Sequence, residues 1–489
     1  KDNPQLHDVY SLDLASGELT KVTENPGFVD WVVDAEMNVR GAIAPTPDGG
    51  SKIVVRESVD EPWQVLLEVG PDDALTTAPV TFSADGKRLL TQCSIDVDAG
   101  RLMWIETATG EYEVVVEDPQ YDVSSVRIHP DTRIVQIVTF LRERMEMVVL
   151  DVALEDDIAA LKKLHAGDLT ILNRNDDDSI WLVSYTVDDG PVRYVMWDRE
   201  GQDGKTLFFH HSALLEYPMS HMDPFAFATT DGMVLYGYLT YPLDVVERVN
   251  LPAVLLVHGG PWARDVWGFN AEAQWLANRG YMVIQVNFRG STGYGKDFVN
   301  AGNKEWGGLM HTDLLDAVQW AVDRGFADPS RVAIMGGSYG GYAALVGATF
   351  TPDAFACAVD IVGPSNLKTL IESIPPYWEP MIAQFHTRVG NPETEADFLW
   401  ERSPLSKVDQ IKIPLLIAQG ANDPRVKQAE SEQIVAALEE AGIDHQYLLF
   451  PDEGHGFAQP DNRLKFYAAA EAFLAKYLGG RTEPAGAEG

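Results

Sequence analysis

A serine hydroxyl is a weak nucleophile until a base takes its proton and an acid orients that base. The chain carries residues for this chemistry, in a workable order. Gly336-Gly337-Ser338-Tyr339-Gly340 fits G-x-S-x-G, with a β-rich apolar run at 332–335 before it and an Ala- and Gly-rich helical pattern after it. The motif alone also describes a tight turn or a phosphate cradle; the strand before and the helix after favour a nucleophile on a sharp turn. The start of that helix aims backbone N–H groups at a developing oxyanion. Gly420-Ala421-Asn422-Asp423-Pro424-Arg425 then follows the apolar run 415–418, and Asp452-Glu453-Gly454-His455-Gly456-Phe457 follows the run 446–450. Ser338 as nucleophile, Asp423 as orienting acid and His455 as base keep the order Ser, Asp, His expected of strand–turn–helix serine hydrolases. Of eleven histidines, His455 alone stands between two glycines in a loop after a strand. Asp452 is a rival acid, three residues from His455, and would have to curl back. The run 253–257 leads into His258-Gly259-Gly260-Pro261-Trp262, where glycines let amides face a cleft without a Cβ in the way. The Gly260 and Tyr339 amides are the candidate oxyanion donors, and His258 reads as a brace for the loop.

Positioning these loops requires a parallel sheet. Apolar runs at 252–257, 281–286, 331–335, 356–362, 414–418 and 445–450 alternate with helical patterns at 271–278, 312–324, 339–350, 428–441 and 462–477. Continuous apolar strands between helices predict a mostly parallel, doubly wound sheet covered on both faces. Both Asp423 and His455 fall after strands, on the edge where such sheets place their sites. Residues 225–241, with Asp231-Gly232 at the turn, read as an antiparallel hairpin leading in. Residues 1–222 read differently, as short strands around polar turns that end in glycine, as at Gly17 and Gly110, with a looser copy at Gly201. A second phrase, Ser83-Ala84-Asp85-Gly86, alternates with the first. The unit is four strands in roughly 40–50 residues, the footprint of a β-propeller blade. The expected fold is a partial all-β propeller at 1–222, an α/β-hydrolase catalytic domain at 223–480 and a disordered Gly/Pro/Glu-rich tail at 481–489.

Four blocks carry a family resemblance: His258-Gly259-Gly260-Pro261, Asn287-Phe288-Arg289-Gly290-Ser291-Thr292-Gly293-Tyr294-Gly295, Gly336-Gly337-Ser338-Tyr339-Gly340-Gly341-Tyr342 and Gly454-His455-Gly456-Phe457. Together they resemble the prolyl oligopeptidase family of serine peptidases. The His-Gly-Gly-Pro form is most similar to its acylaminoacyl-peptidase branch, and lacks the oxyanion-loop tyrosine of prolyl oligopeptidases proper and dipeptidyl peptidases. The resemblance implies a propeller that screens the cleft from folded proteins, and hydrolysis of short peptides through an acyl-enzyme. It also implies that Arg425, two residues after the acid, binds a substrate carbonyl. Dipeptidyl peptidases of the family hold a free amino terminus with a Glu pair, and residues 1–222 contain no adjacent Glu-Glu. Acylaminoacyl-peptidase or oligopeptidase action is therefore expected first. The alternatives are dipeptidyl release, a carboxylesterase or lipase using the same triad, and a non-catalytic binding protein. Tyr342, Tyr377 and Trp378 are candidates for a hydrophobic pocket, with core packing as the plainer reading. No metal motif is present and the triad needs none, so neither metal nor cofactor is expected.

Composition narrows the partners. The 489 residues are 45% hydrophobic and 23% charged, ordinary globular usage that excludes wholesale disorder. With 37 basic and 74 acidic residues the formal charge is −37, which argues against nucleic acid or an anionic membrane as partner. Two cysteines cannot make a disulfide framework or a four-ligand zinc site. No apolar run is long enough to span a membrane, and no basic-then-apolar leader opens the chain. The cytoplasm is favoured, with periplasm and secretion left open because the chain begins at Lys1 rather than Met. Oligomeric state is also open. At roughly 46 residues per unit, 1–222 supplies fewer than five blades, short of the family's usual seven or eight, so residues before Lys1 are expected to be missing.

Overall fold

The computed structural model describes residues 3–483. Of the tail expected at 481–489, Arg481 pairs with Asp244 (Nη1 to Oδ2, 2.7 Å), and residues 484–489 lie outside the described residues. Packing divides the chain into two compact units that do not follow the chain in order. One comprises the chain up to Leu141 together with Arg289–Trp306 and Leu367–Arg402; the other comprises Arg142–Phe288, Gly307–Asn366 and the chain from Ser403.

The first unit is built from antiparallel sheets with tight polar turns. Val9–Leu12 pairs with Leu19–Thr23, and the turn glycine Gly17 takes φ 75°. Asp30–Val33, Val39–Pro45, Ser51–Val55 and Gln64–Val69 form a four-stranded meander; Ala78–Phe82, Arg88–Cys93, Arg101–Glu106 and Tyr112–Val116 form the next. Val123–Ile128 pairs with Val135–Leu141. Successive sheets begin at Asp30, Ala78 and Val123, the blade-like repeat expected from the turn phrases. Two segments from the later half belong here because polar groups fasten them. Lys296 Nζ donates to Asp73 Oδ1 (2.8 Å) and to the Ser94 carbonyl (2.9 Å). Arg388, 2% exposed, donates to Asn300, Asn303 and the Pro71 carbonyl.

The second unit holds one further four-stranded meander, Asp168–Arg174, Ile180–Thr186, Arg193–Asp198 and Asp203–Phe209. A helix, Glu155–Leu164, precedes it, where only strands were expected. Three acids in its first turn and Lys162 and Lys163 in its last suit the helix dipole. Asp157 anchors it by accepting from Trp197 Nε1 (2.9 Å) and Arg199 Nε (2.8 Å).

The same unit contains the eight-stranded sheet. Its strands are β1 (Met222–Ala228), β2 (Val234–Thr240), β3 (Leu251–Val257), β4 (Met282–Asn287), β5 (Ala327–Gly337), β6 (Cys357–Ile361), β7 (Leu415–Gly420) and β8 (His445–Phe450). They lie in the order β1-β2-β4-β3-β5-β6-β7-β8; the first two join antiparallel and β4 through β8 run parallel. The principal helices are α1 (Ala271–Asn278), α2 (Leu309–Asp323), α3 (Tyr339–Phe350), α4 (Gln428–Ala441) and α5 (Pro460–Leu478). Val254, Leu256, Ala333, Met335, Val359 and Leu416 pack with Leu276 of α1 and Phe466, Phe473 and Leu474 of α5 into one buried cluster. Each of these side chains is at most 6% exposed, and burying one of the valines, leucines, methionines or phenylalanines stabilises by about 1.5–3 kcal/mol. The sheet is therefore a rigid base for the loops at its carboxyl edge. Cys93 and Cys357 are buried and unpaired. Among the described residues, no helix is long and apolar enough to cross a membrane.

Candidate active site

Ser338 stands between β5 and α3 with φ 58° and ψ −116°, a left-handed conformation that L-residues adopt only under constraint. The constraints are visible. The Ser338 amide donates to the Ile361 carbonyl (2.8 Å). A Cβ at Gly340 would lie 2.1 Å from the Val257 carbonyl oxygen, and one at Gly336 would lie 2.5 Å from that same oxygen. Only glycine at both positions lets α3 start hard against the end of β3. Tyr339 and Tyr342 are buried on the helix, and burial pushes the Tyr339 phenol up. Tyr342 is fully buried, in keeping with core packing rather than a pocket lining. Tyr377 and Trp378, in the other unit, pack on each other (centroids 5.9 Å).

The loop after β3 lies against this turn. A Cβ on Gly259 would sit 3.0 Å from the Gly337 carbonyl oxygen and 3.5 Å from the Ser338 Cβ. Gly260 takes φ 124°, which a side chain would strain. His258 stacks flat on Phe288 (centroids 4.5 Å, 12°), and its Nδ1 lies 2.8 Å from the Gly259 carbonyl oxygen. Downstream, the Asp265 amide donates to Asn287 Oδ1 (2.7 Å), Asn287 Nδ2 returns a bond to the Asp265 carbonyl (3.0 Å), and Gln285 Nε2 donates to Asp265 Oδ1 (2.9 Å). These bonds tie the loop to β4. Burial pushes the Asp265 carboxyl up, an effect opposed by His258, Gln285 and Arg264.

Asp423 and His455 meet directly: His455 Nδ1 donates to Asp423 Oδ2 at 2.7 Å. The other carboxylate oxygen, Oδ1, accepts from the Arg425 amide (2.8 Å) and the Val426 amide (3.0 Å). Asp423 is 4% exposed, so this pairing forms away from bulk water. The two loops are zipped together. A Cβ on Gly420 would fall 2.1 Å from the Gly454 carbonyl oxygen. The Asn422 amide donates to the Glu453 carbonyl (2.8 Å), and its side chain donates to the Pro451 carbonyl (2.8 Å). Glu453, which the sequence reading gave no role, is 2% exposed and accepts from the Ala458 and Gln459 amides (2.9 and 2.8 Å) and from Asn462 (2.9 Å). It ties down the loop that carries His455; its only sequence signal was its place two residues before His455. The rival Asp452 instead accepts from Asn462 Nδ2 (3.0 Å). Arg425 is exposed beside Asp423. Metal-ligating types converge elsewhere in this unit, where His221 Nδ1 lies 3.3 Å from Asp188 Oδ2 and 3.7 Å from Asp189 Oδ2.

The likeness to known proteins follows the same lines. The family model described as "Prolyl oligopeptidase family" matches residues 267–481, which include Ser338, Asp423 and His455. Dipeptidyl aminopeptidase BIII of Pseudoxanthomonas mexicana is 48% identical over 99% of this chain and 71% of that protein. The chain belongs to the prolyl oligopeptidase family. Dipeptidyl peptidase family member 6 of Caenorhabditis elegans, also similar to this chain, is 38% identical over 99% of the chain and 70% of that protein. Among solved structures, a puromycin hydrolase superposes with a TM-score of 0.77 at 19% identity, covering 96% of this chain and 72% of that one. This likeness is one of fold, and it spans both the propeller-type sheets and the hydrolase sheet. The chain is a serine-type peptidase of this family, acting on peptide substrates.

Proposed function

We propose that Ser338, His455 and Asp423 are the catalytic triad and that the enzyme releases dipeptides from free amino termini of short peptides. The observation that carries the triad is the 2.7 Å bond between His455 Nδ1 and buried Asp423. That bond leaves Nε2 as the basic nitrogen for Ser338. His455 removes the Ser338 proton as Oγ attacks the scissile carbonyl. The amides of Gly260 and Tyr339 receive the oxyanion, and each such donor contributes about 10²–10³ in rate. His455 then protonates the leaving amine, water attacks the acyl-enzyme with His455 again as base, and the acid leaves. Asp423 holds the imidazole and offsets its positive charge in both steps. Arg425, exposed beside Asp423, is suited to a substrate carbonyl. The formal charge of −37 supports substrates other than polyanions.

The dipeptide mode rests on the 48% identity, sustained over 99% of the chain, with a dipeptidyl aminopeptidase. The His258-Gly259-Gly260-Pro261 loop and Arg425 favour an acylaminoacyl mode as the second reading. A matched set of p-nitroanilides separates them: a free dipeptide, the same dipeptide N-acetylated, an N-acetylated single residue and p-nitrophenyl butyrate. The free dipeptide is expected to give the highest kcat/KM. A preference for the acetylated single residue would replace the proposal with acylaminoacyl release, and a preference for the ester would replace it with an esterase.

A further inference from the structure

The nucleophile turn has a support that its own motif does not supply. β6 runs parallel to β5, with Asp360 opposite Gly336 and Ile361 opposite Gly337. The ladder continues one residue further, where the Ile361 carbonyl accepts the Ser338 amide at 2.8 Å. Where Ile361 sits thus decides where Ser338 sits. Immediately after it the chain makes a costly turn. Val362 has φ 49°, a left-handed conformation that a β-branched residue adopts only when held there. Its amide donates to the Ala418 carbonyl on β7 (2.9 Å).

The holding group is the Asp360 side chain. It is 1% exposed, and its Oδ1 accepts the Gly363 amide at 2.8 Å, closing a ring across Ile361 and Val362. The same Oδ1 fills the space against the first turn of α3. A Cβ on Gly341 would lie 2.3 Å from it, and one on Gly363 would lie 2.4 Å from it. The second oxygen, Oδ2, is buried with no hydrogen-bond partner. A buried carboxyl with one oxygen unpaired costs stability, and an apolar side chain would fill the volume at less cost. The clamp on Gly363 is what the carboxyl adds.

We infer that Asp360 is a positioning residue for the nucleophile: by clamping Gly363 it holds the strained Val362 turn, and so the Ile361 carbonyl that fixes Ser338. Burial agrees with this role, since it pushes the Asp360 carboxyl up to about 8. Near neutral pH the group is a neutral acid that still accepts the Gly363 N–H, and asparagine is its isostere. The inference rests on Ser338 being the nucleophile.

The test compares Asp360→Ala and Asp360→Asn with the unaltered chain and with Ser338→Ala. Active sites are titrated with a fluorophosphonate, so that kcat is expressed per competent site. A merely structural role would lower the titrated fraction or the melting temperature and leave kcat per site unchanged. The inference predicts that Asp360→Ala lowers kcat per site about 10²-fold, the scale of an ångström of misplacement, with KM within about threefold. Asp360→Asn, which keeps the acceptor, is expected to stay within about threefold of the unaltered chain. Wild-type kcat per site in Asp360→Ala, or an equal loss in Asp360→Asn, would overturn it. If Asp360→Ala does not fold, Asp360→Val, which offers no acceptor to the Gly363 amide, is judged by the same criterion. An unaltered chain that takes up no fluorophosphonate would instead sink the Ser338 assignment, a separate failure.

Discussion

Replacing Asp423 by asparagine tests the triad through the hydrogen bonds around one carboxylate. Asp423 uses both oxygens: Oδ1 accepts two backbone amides, those of Arg425 and Val426, and Oδ2 accepts His455 Nδ1–H. An asparagine has one acceptor and one donor end. If its NH₂ replaced Oδ1 it would face two N–H donors, leaving buried donors unsatisfied at about 1–3 kcal/mol each. The amide therefore turns its oxygen to the backbone and its NH₂ to His455. His455 Nδ1 must then accept, which moves the imidazole proton to Nε2, the atom that has to take the proton of Ser338. The loop keeps its bonds while the base is held in the wrong tautomer. The expected loss in kcat is about 10⁴-fold, the scale seen when a triad aspartate is so replaced, or roughly 5 kcal/mol of transition-state stabilisation. The assay is kcat on a cleavable peptide anilide near pH 7.5, with a thermal melt as fold control; the melt should be nearly unchanged. An Asp423→Asn enzyme within about tenfold of the unaltered chain, with an intact melt, would refute the tautomer argument and with it the role of this pair.

Two further outcomes follow from the same packing. Gly340→Ala places a Cβ 2.1 Å from the Val257 carbonyl oxygen, so backbone must move; a destabilisation of about 1–3 kcal/mol and lowered kcat are expected. Gly337→Ala, whose Cβ would come no closer than 3.9 Å to the Ile361 carbonyl oxygen, should melt within about 0.5 kcal/mol of the unaltered chain. The buried Asp360 carboxyl also predicts a pH effect on stability. Its folded value of about 8 lies above the ordinary 3.8, so between these values the folded chain holds a proton that the unfolded chain has released. Stability from this group is fully present below about pH 4 and lost as pH rises through about 8. Relative to Asp360→Asn, the unaltered chain should lose up to about 1.4 kcal/mol of unfolding free energy per pH unit between pH 5 and 7. Equilibrium urea unfolding at three pH values checks it, and parallel pH profiles would contradict it.

The sheet and its loops were readable from sequence because each parallel strand holds a short, mostly apolar run followed by polar or glycine-rich residues. The runs at 271–278, 339–350, 428–441 and 445–450 coincide with α1, α3, α4 and β8. Ser338, Asp423 and His455 could be picked out because strand ends and turn glycines are local signals. Local signals miss what is decided by distant partners. β5 begins at Ala327, earlier than the apolar run, because Leu251 pairs with Ala327 past an irregularity in the ladder. The helix Glu155–Leu164 is short and polar, and it depends on Asp157 meeting Trp197 and Arg199 some forty residues on. The grouping of 289–306 and 367–402 with the first sheets depends on contacts such as Arg388 with Pro71. Glu453 and Asp360 act through backbone amides, which leave no pattern in side-chain type.

The central claim is that Ser338 is the nucleophile of this peptidase. Intact-mass measurement after fluorophosphonate treatment, followed by peptide mapping, tests it most directly. The account predicts one adduct per chain, on Ser338, and none in Ser338→Ala; an adduct on another residue, or labelling that persists in Ser338→Ala, would contradict it.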